Sequence, residues 1–183
     1  MKKIVYYLTG MNGQLRIGLG QGLLSRGVDI TGRELVGEFR QMDFQQQVDL
    51  IADDLQDNFW HEDARVIANS FGAYLFLHAQ CQMEPYVGKV ILLSPIVGEF
   101  GNEESQINFI PPRSEKLFQL AKDGRFPIPN QCEIHVGSKD WQSNPTKVTA
   151  FCSLVGIHVS VVPNAGHMLP KDYVGGLLDK WLR

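Results

Sequence analysis

The sequence predicts one α/β domain, with a mainly parallel sheet of about six strands and helices on both of its faces. Two observations lead to it. Short runs rich in Ile, Val and Tyr recur from one end of the chain to the other, and segments with helical periodicity lie between them. A chain that returns through a helix after each strand lays its strands in parallel, and the helices then bury both faces of the sheet. At 183 residues there is room for one well-buried core and no second domain is expected.

The strand candidates are residues 3–8, 28–30, 65–68, 89–93, 132–136 and 158–162. The first breaks off at Thr9-Gly10, and residues 14–24 follow as a helix candidate. After the second strand, Phe44, Val48, Ile51 and Leu55 share one helical stripe, and Asp43 with Gln46 has the spacing of a capping box. Helices are also expected over residues 71–79, 114–122 and 145–154, the last opened by Asn144-Pro145. The final helix begins near Pro170, where proline suits a first turn, and carries Val174, Leu177, Leu178 and Trp181 on one face. Residues 98–113 hold Glu99, Glu103, Glu104 and the Pro111-Pro112 pair and read as a long loop, a candidate small lid.

Composition excludes several classes. With 44% hydrophobic and 20% charged residues, the chain is neither disordered nor membrane-spanning in character. A net charge of -3 offers no broad basic field to gather phosphates, which argues against nucleic acid as a partner. Met1-Lys2-Lys3 has the positive start of a signal peptide, but the apolar run behind it ends at Thr9, too soon for a signal sequence. No later window approaches the roughly 18 apolar residues that span a bilayer, so no membrane association is expected. Cys81, Cys132 and Cys152 are odd in number and lack metal-ligand spacing, which fits a cytoplasmic protein with reduced thiols.

Three turns carry the chemistry. Ala68-Asn69-Ser70-Phe71-Gly72 runs from a β-branched strand straight into a helical pattern. A serine there sits on a tight bend, so the residues two before and two after it must be small, and Ala68 and Gly72 are. The bend lifts the hydroxyl clear of the sheet and aims the first amides of the next helix at whatever binds there. A serine that only caps a helix has similar surroundings, so partners must decide between the two.

A serine hydroxyl needs a neutral imidazole to take its proton. His61 lies in a polar turn, His78 inside a helix, and His135 and His158 inside strands. His167 instead closes Pro163-Asn164-Ala165-Gly166-His167, a loop leaving the carboxyl end of the last strand, where parallel sheets collect functional loops. Asp140 follows the preceding strand in Gly137-Ser138-Lys139-Asp140-Trp141. Serine, aspartate and histidine thus follow three different strands in that order.

These turns resemble the α/β-hydrolase family, and the resemblance covers nearly the whole chain. It looks like a short member that starts at what would be the family's third strand and has no large cap domain. The resemblance implies a serine hydrolase of carboxylesterase or thioesterase type, acting on an ester, thioester or amide of a small-molecule acyl substrate. Ser70 would be the nucleophile, His167 the general base and Asp140 the acid that orients it, with an acyl-enzyme intermediate and no metal or organic cofactor. Backbone amides of Phe71 and Met11 would hold the oxyanion, with Asn12 as a second candidate in the same loop. Trp141, Met168 and Leu169, with Met11 and Phe71, adjoin these positions and are candidates to line an apolar pocket. The chain departs from the family pattern at Ala68, in place of the more usual glycine, and at Thr9, where many members place histidine before the oxyanion glycine.

The same loop admits a rival. Thr9-Gly10-x-x-Gly13 after a strand also resembles the phosphate-binding turn of short-chain dehydrogenases, which would make the chain a dinucleotide-binding protein. Arg16 replaces the third glycine, and no tyrosine is followed four residues later by lysine. A third reading keeps the hydrolase scaffold as a non-catalytic interaction module. Nothing in the sequence specifies an oligomeric state.

Overall fold

The computed structural model describes residues 3–183; Met1 and Lys2, from the charged start that resembles a signal peptide, lie outside the described residues. In chain order the elements are β1 (Ile4–Met11), α1 (Leu19–Leu24), β2 (Asp29–Leu35), α2 (Gly37–Gln41), α3 (Phe44–Asn58), β3 (Arg65–Asn69), α4 (Phe71–Gln80), β4 (Lys89–Leu93), β5 (Phe100–Asn102), β6 (Ile107–Phe109), α5 (Lys116–Lys122), β7 (Gln131–Gly137), α6 (Pro145–Val155), β8 (His158–Val162) and α7 (Lys171–Trp181). Six strands form one sheet in the order β2-β1-β3-β4-β7-β8, with every neighbouring pair parallel. The chain steps outward from β1 to β2 and then crosses back to β3, so strand order reverses at β1. The carboxyl ends of β1 and β3 meet at this switch point, where open parallel sheets form their sites.

Alternation along β1 divides the two layers. Tyr6 and Leu8 enter the larger core with Val48 of α3, Leu75 of α4, Leu117 of α5 and Val148 of α6. Val5 and Tyr7 face the other way, toward Leu23 of α1 and Leu178 of α7. Residues 72–80 of α4 are all buried, so this central helix has no polar stripe. Val48, Ile51 and Leu55 of α3 turn inward as their spacing predicts.

The structure departs from the sequence expectations in several places, each with a local cause. β1 continues past Leu8 because Thr9 is built into the sheet. Its hydroxyl accepts the Leu35 amide at 2.9 Å and donates to the Gly13 carbonyl at 3.1 Å. The helix expected over 14–24 shrinks to α1, since Leu15 donates its amide to Glu34 at 2.7 Å and Gly18 takes a φ of 59° just before it. β2 runs well beyond residues 28–30. As an edge strand it carries polar Thr31, Arg33 and Glu34, which give no strand signal. Arg33 fastens it to α3 through two bonds to Asp54, at 2.7 and 2.8 Å, and Tyr6 donates to the same carboxylate at 2.6 Å.

Asp43 stands at the N-cap of α3, but its side chain makes no capping bond, so the expected capping box does not form; only its main-chain carbonyl serves, accepting from Gln47 at 3.0 Å. α2 is too short to show a period and has no counterpart among the helix candidates. α5 starts at Lys116, after a turn that holds Arg113 at a φ of 57°. Residues 98–113 contain the antiparallel β5–β6 hairpin rather than loop alone. Cys81, Cys132 and Cys152 are unpaired. Among the described residues no helix is long and apolar enough to cross a membrane.

Candidate active site

The bend after β3 holds Ser70 at φ 53° and ψ -117°, a backbone that costs a side-chain-bearing residue on the order of 1–3 kcal/mol. Its surroundings enforce the strain. The Ser70 amide donates to Leu93 at 2.9 Å, and its carbonyl accepts from Ala73, Tyr74 and Ile96 at 3.1, 3.2 and 3.3 Å. The small residues flanking it are required by contact. Ala68 is fully buried in the sheet, and a β-carbon on Gly72 would stand 2.3 Å from the Thr9 carbonyl oxygen.

Three side chains from three loops then meet. Ser70 Oγ lies 2.8 Å from His167 Nε2, and His167 Nδ1 lies 2.8 Å from Asp140 Oδ2. A carboxylate only accepts, so Nδ1 donates to Asp140, and Nε2 is left to accept from the serine hydroxyl. Asp140 is 2% exposed, and its other oxygen accepts the amides of Gln142 and Ser143, both at 2.9 Å. The His167 side chain keeps 25% of its surface open, so the solvent side of the relay is accessible.

The acid and histidine loops are interlocked through backbone. Ser138 donates its amide to Val162 at 2.9 Å, Lys139 to Ala165 at 2.8 Å, and the Asn164 amide donates to Ser138 Oγ at 2.8 Å. Gly137 allows this approach: a β-carbon there would lie 2.3 Å from the carbonyl oxygens of both Ala165 and Gly166. A residue that sequence reasoning missed closes the assembly. Ser94, immediately after β4, is buried at a φ of 45° and donates its hydroxyl to the His167 carbonyl at 2.8 Å. Ser143 does the same for the neighbouring turn, donating to Pro95 at 2.6 Å. No motif marks either serine, because each acts on backbone far away in sequence.

The amides proposed for an oxyanion are placed unequally. Phe71 opens α4, so its amide has no acceptor within the helix. Asn12, the second candidate, is corrected: its amide donates to the Leu35 carbonyl at 3.1 Å, as part of the β1–β2 edge, and is taken. Met11 ends β1, one residue beyond Gly10, whose own β-carbon position would be 3.3 Å from that of Ser70. The candidate pocket residues also separate. Leu169 is 8% exposed and packs in the core between the sheet and α7. Met168 is 88% exposed, beside His167 but covered by nothing. Trp141 is half-buried against Phe100, with ring centres 5.9 Å apart, and Phe71 lies against Tyr74 and Phe109 at 5.5 and 6.3 Å.

His78 and His135 are buried and His61 and His158 exposed, and none of the four meets Ser70. His78 lies edge-on between Phe44 and Tyr74 with neither ring nitrogen hydrogen-bonded; burial, helped by Lys116 and Arg113, pushes its pKa down to about 3. His135 bonds to the Tyr173 hydroxyl at 2.7 Å on the opposite face of the sheet. The Gly10–Gly13 turn does not lead directly into a helix: α1 begins only at Leu19, so the helix that the dinucleotide fingerprint places immediately after its glycines is absent there. Among the described residues, no group of three or more His, Cys, Asp or Glu side chains is placed to hold a metal ion.

No family model and no curated protein matches the sequence. Solved structures do match. The ydeN gene product of Bacillus subtilis superposes with a TM-score of 0.69 at 14% identity, covering 99% of this chain and 99% of that one. The carboxylesterase CesB (YbfK) of the same organism gives 0.68 at 12% identity, over 99% of this chain and 84% of that one. A structure from work on carboxylesterases of the thaumarchaeon Nitrososphaera gargenis gives 0.66 at 13% identity, over 99% and 90%. At such identities the likeness concerns the fold. The chain has an α/β-hydrolase-type fold, with a six-stranded parallel sheet and, among the described residues, no large cap.

Proposed function

We propose that this protein is a serine hydrolase that cleaves a carboxylic ester or a related acyl bond through an acyl-enzyme. The observation that carries the reading is the unbroken relay from Asp140 through His167 to Ser70, two contacts of 2.8 Å ending on a serine at positive φ. The likeness in fold to structures described as carboxylesterases supports it.

His167 Nε2 takes the hydroxyl proton as Ser70 Oγ attacks the carbonyl carbon. The oxyanion forms against the amides of Phe71 and Met11, where each donor is worth about 3 kcal/mol in the transition state. His167 then returns the proton to the leaving alcohol as the carbon–oxygen bond breaks, which leaves the acyl group on Ser70. Water enters, gives a proton to His167, and releases the acid by the same steps in reverse. Asp140 holds the tautomer this requires and stabilises the imidazolium while it lasts. No step calls on a metal or organic cofactor.

Labelling with a fluorophosphonate tests the reading. The native protein is expected to label on Ser70 and to hydrolyse short p-nitrophenyl esters, while Ser70→Ala does neither. A folded wild-type protein that resists the probe and spares those esters would reassign the scaffold to an interaction module.

A further inference from the structure

The β5–β6 hairpin carries two phenylalanines, Phe100 and Phe109, directly opposite each other in register, with ring centres 5.2 Å apart. Phe109 lies edge-on to Phe71 at 6.3 Å, and Phe100 lies against Trp141 at 5.9 Å. Those two partners are the residues that immediately follow Ser70 and Asp140. The hairpin therefore rests on the same two loops that bring the nucleophile and the acid to His167.

Phe100 also packs against the main core, and the hydrogen bonds that tie the hairpin to the rest of the domain lie at its base. Lys147 donates to the Glu99 carbonyl at 2.8 Å just before β5, and Tyr74 donates to the Pro112 carbonyl at 2.6 Å just after β6. Between these points the two short strands pair only with each other. A lone two-stranded hairpin is marginal in water, so the rings are what keep it down. Phe109 is itself 38% exposed, and Ile107 and Ile110 beside it are open to solvent.

We propose that this hairpin is an aromatic strap over the acyl side of the site, that it selects esters of apolar acids large enough to replace a ring contact, and that Phe109 is the specificity-determining residue. This rests on Ser70 acting as the nucleophile. An acyl chain on Ser70 emerges beside Phe71. To lie there it must lift Phe109 from Phe71, which separates two packed rings. A medium-chain or aryl acyl group fills the space between them with apolar surface; an acetyl group is too small to do so. A carboxylate-bearing acyl group would lose water against Phe71, Phe100, Phe109 and Trp141 with no opposite charge among them, so charged acids are disfavoured.

The test compares kcat/KM for p-nitrophenyl octanoate and acetate in the wild type, Phe109→Ala and Phe109→Leu, alongside fluorophosphonate labelling of each. The wild type is expected to favour octanoate. Phe109→Ala should lower the octanoate-to-acetate ratio by about tenfold, mainly through KM, and Phe109→Leu should restore most of it. Full labelling of Ser70 with the ratio unchanged in Phe109→Ala would overturn the strap and leave the hydrolase reading intact. So would a concentration-dependent dimer that Phe109→Ala dissolves without altering the ratio, which would make the hairpin a contact between copies. Loss of both labelling and ester hydrolysis in the wild type would remove the nucleophile, and the strap with it.

Discussion

The three loops that join Ser70, His167 and Asp140 and the β5–β6 hairpin that lies on them are secured by different forces. In the loops, hydrogen bonds to backbone do the holding, two of them from main-chain amides to carbonyls and two through serine hydroxyls. Ser138, Lys139 and Asn164 tie the acid turn to the histidine turn, Gly137 lets them touch, and Ser94 fixes the His167 carbonyl from a third strand. The hairpin is held at its base by two hydrogen bonds and along its length by aromatic rings. Hydrogen bonds are directional and set positions to fractions of an ångström, whereas ring contacts tolerate sliding and exchange. The difference separates two demands. In the proposed hydrolase, proton transfer would need one geometry, while accommodating an acyl group would need a surface that yields.

That contrast predicts what happens when each side is disturbed. The largest effect should come from Asp140→Asn, which keeps an oxygen for the Gln142 and Ser143 amides but turns a donor toward His167 Nδ1. The wrong tautomer then faces Ser70, and kcat should fall by about 10⁴ with the thermal midpoint little changed. Retention of wild-type kcat in a well-folded Asp140→Asn protein would place the orienting group elsewhere.

A smaller loss should follow at Ser94. Ser94→Ala frees the His167 carbonyl, and steady-state kinetics should show kcat down by about tenfold to a hundredfold with KM unmoved. Ser94→Gly provides the control, because glycine adopts a φ of 45° without strain. If the hydroxyl positions His167, both variants lose activity alike although glycine relieves the backbone. Activity that instead follows stability between the two variants would mean that Ser94 serves only the fold.

The hairpin side should respond most gently, and to acid. His78 lies beneath Tyr74, whose hydroxyl holds Pro112 at the base of the strap. Its pKa in the folded protein is pushed down to about 3 from an ordinary value near 6.5. The unfolded chain therefore takes up a proton that the folded chain refuses. The stabilising advantage of neutral His78 is complete above pH 6.5 and is lost progressively as pH falls toward 3. At pH 5.5 the loss should be about 1 kcal/mol relative to pH 7.5, read by urea unfolding, and His78→Leu should remove that part of the slope. An identical slope in His78→Leu would assign the acid sensitivity to other groups.

Some of this is legible in the residues and some is not. Runs such as 65–68 and 89–93 announce buried parallel strands because both of their faces are covered, and α3 shows its inward stripe because one face is wet. β2 gives too little signal, since an edge strand with Thr31, Arg33 and Glu34 has no apolar period to read. In sequence, Thr9 is only a departure from a family pattern. In the fold its hydroxyl links β2 and the Gly13 turn to the end of β1, a role no local spacing could indicate. Proximity in sequence put Asn12 and Leu169 at the site, and the sheet edge and the α7 packing claim them instead.

By itself the sequence determined the α/β class, the sites of most strands and helices, and the three loops that carry serine, aspartate and histidine, because periodicity, small residues at a bend and chain order are local properties. Only the tertiary structure decided which atoms meet. The 2.8 Å contacts of the relay, the interlocking of the acid and histidine turns around Gly137, the hold of Ser94 on His167 and the rings of the hairpin against Phe71 and Trp141 all join residues distant in sequence. Such contacts depend on how the strands are ordered in the sheet, and strand order is a long-range outcome that no window of the chain contains.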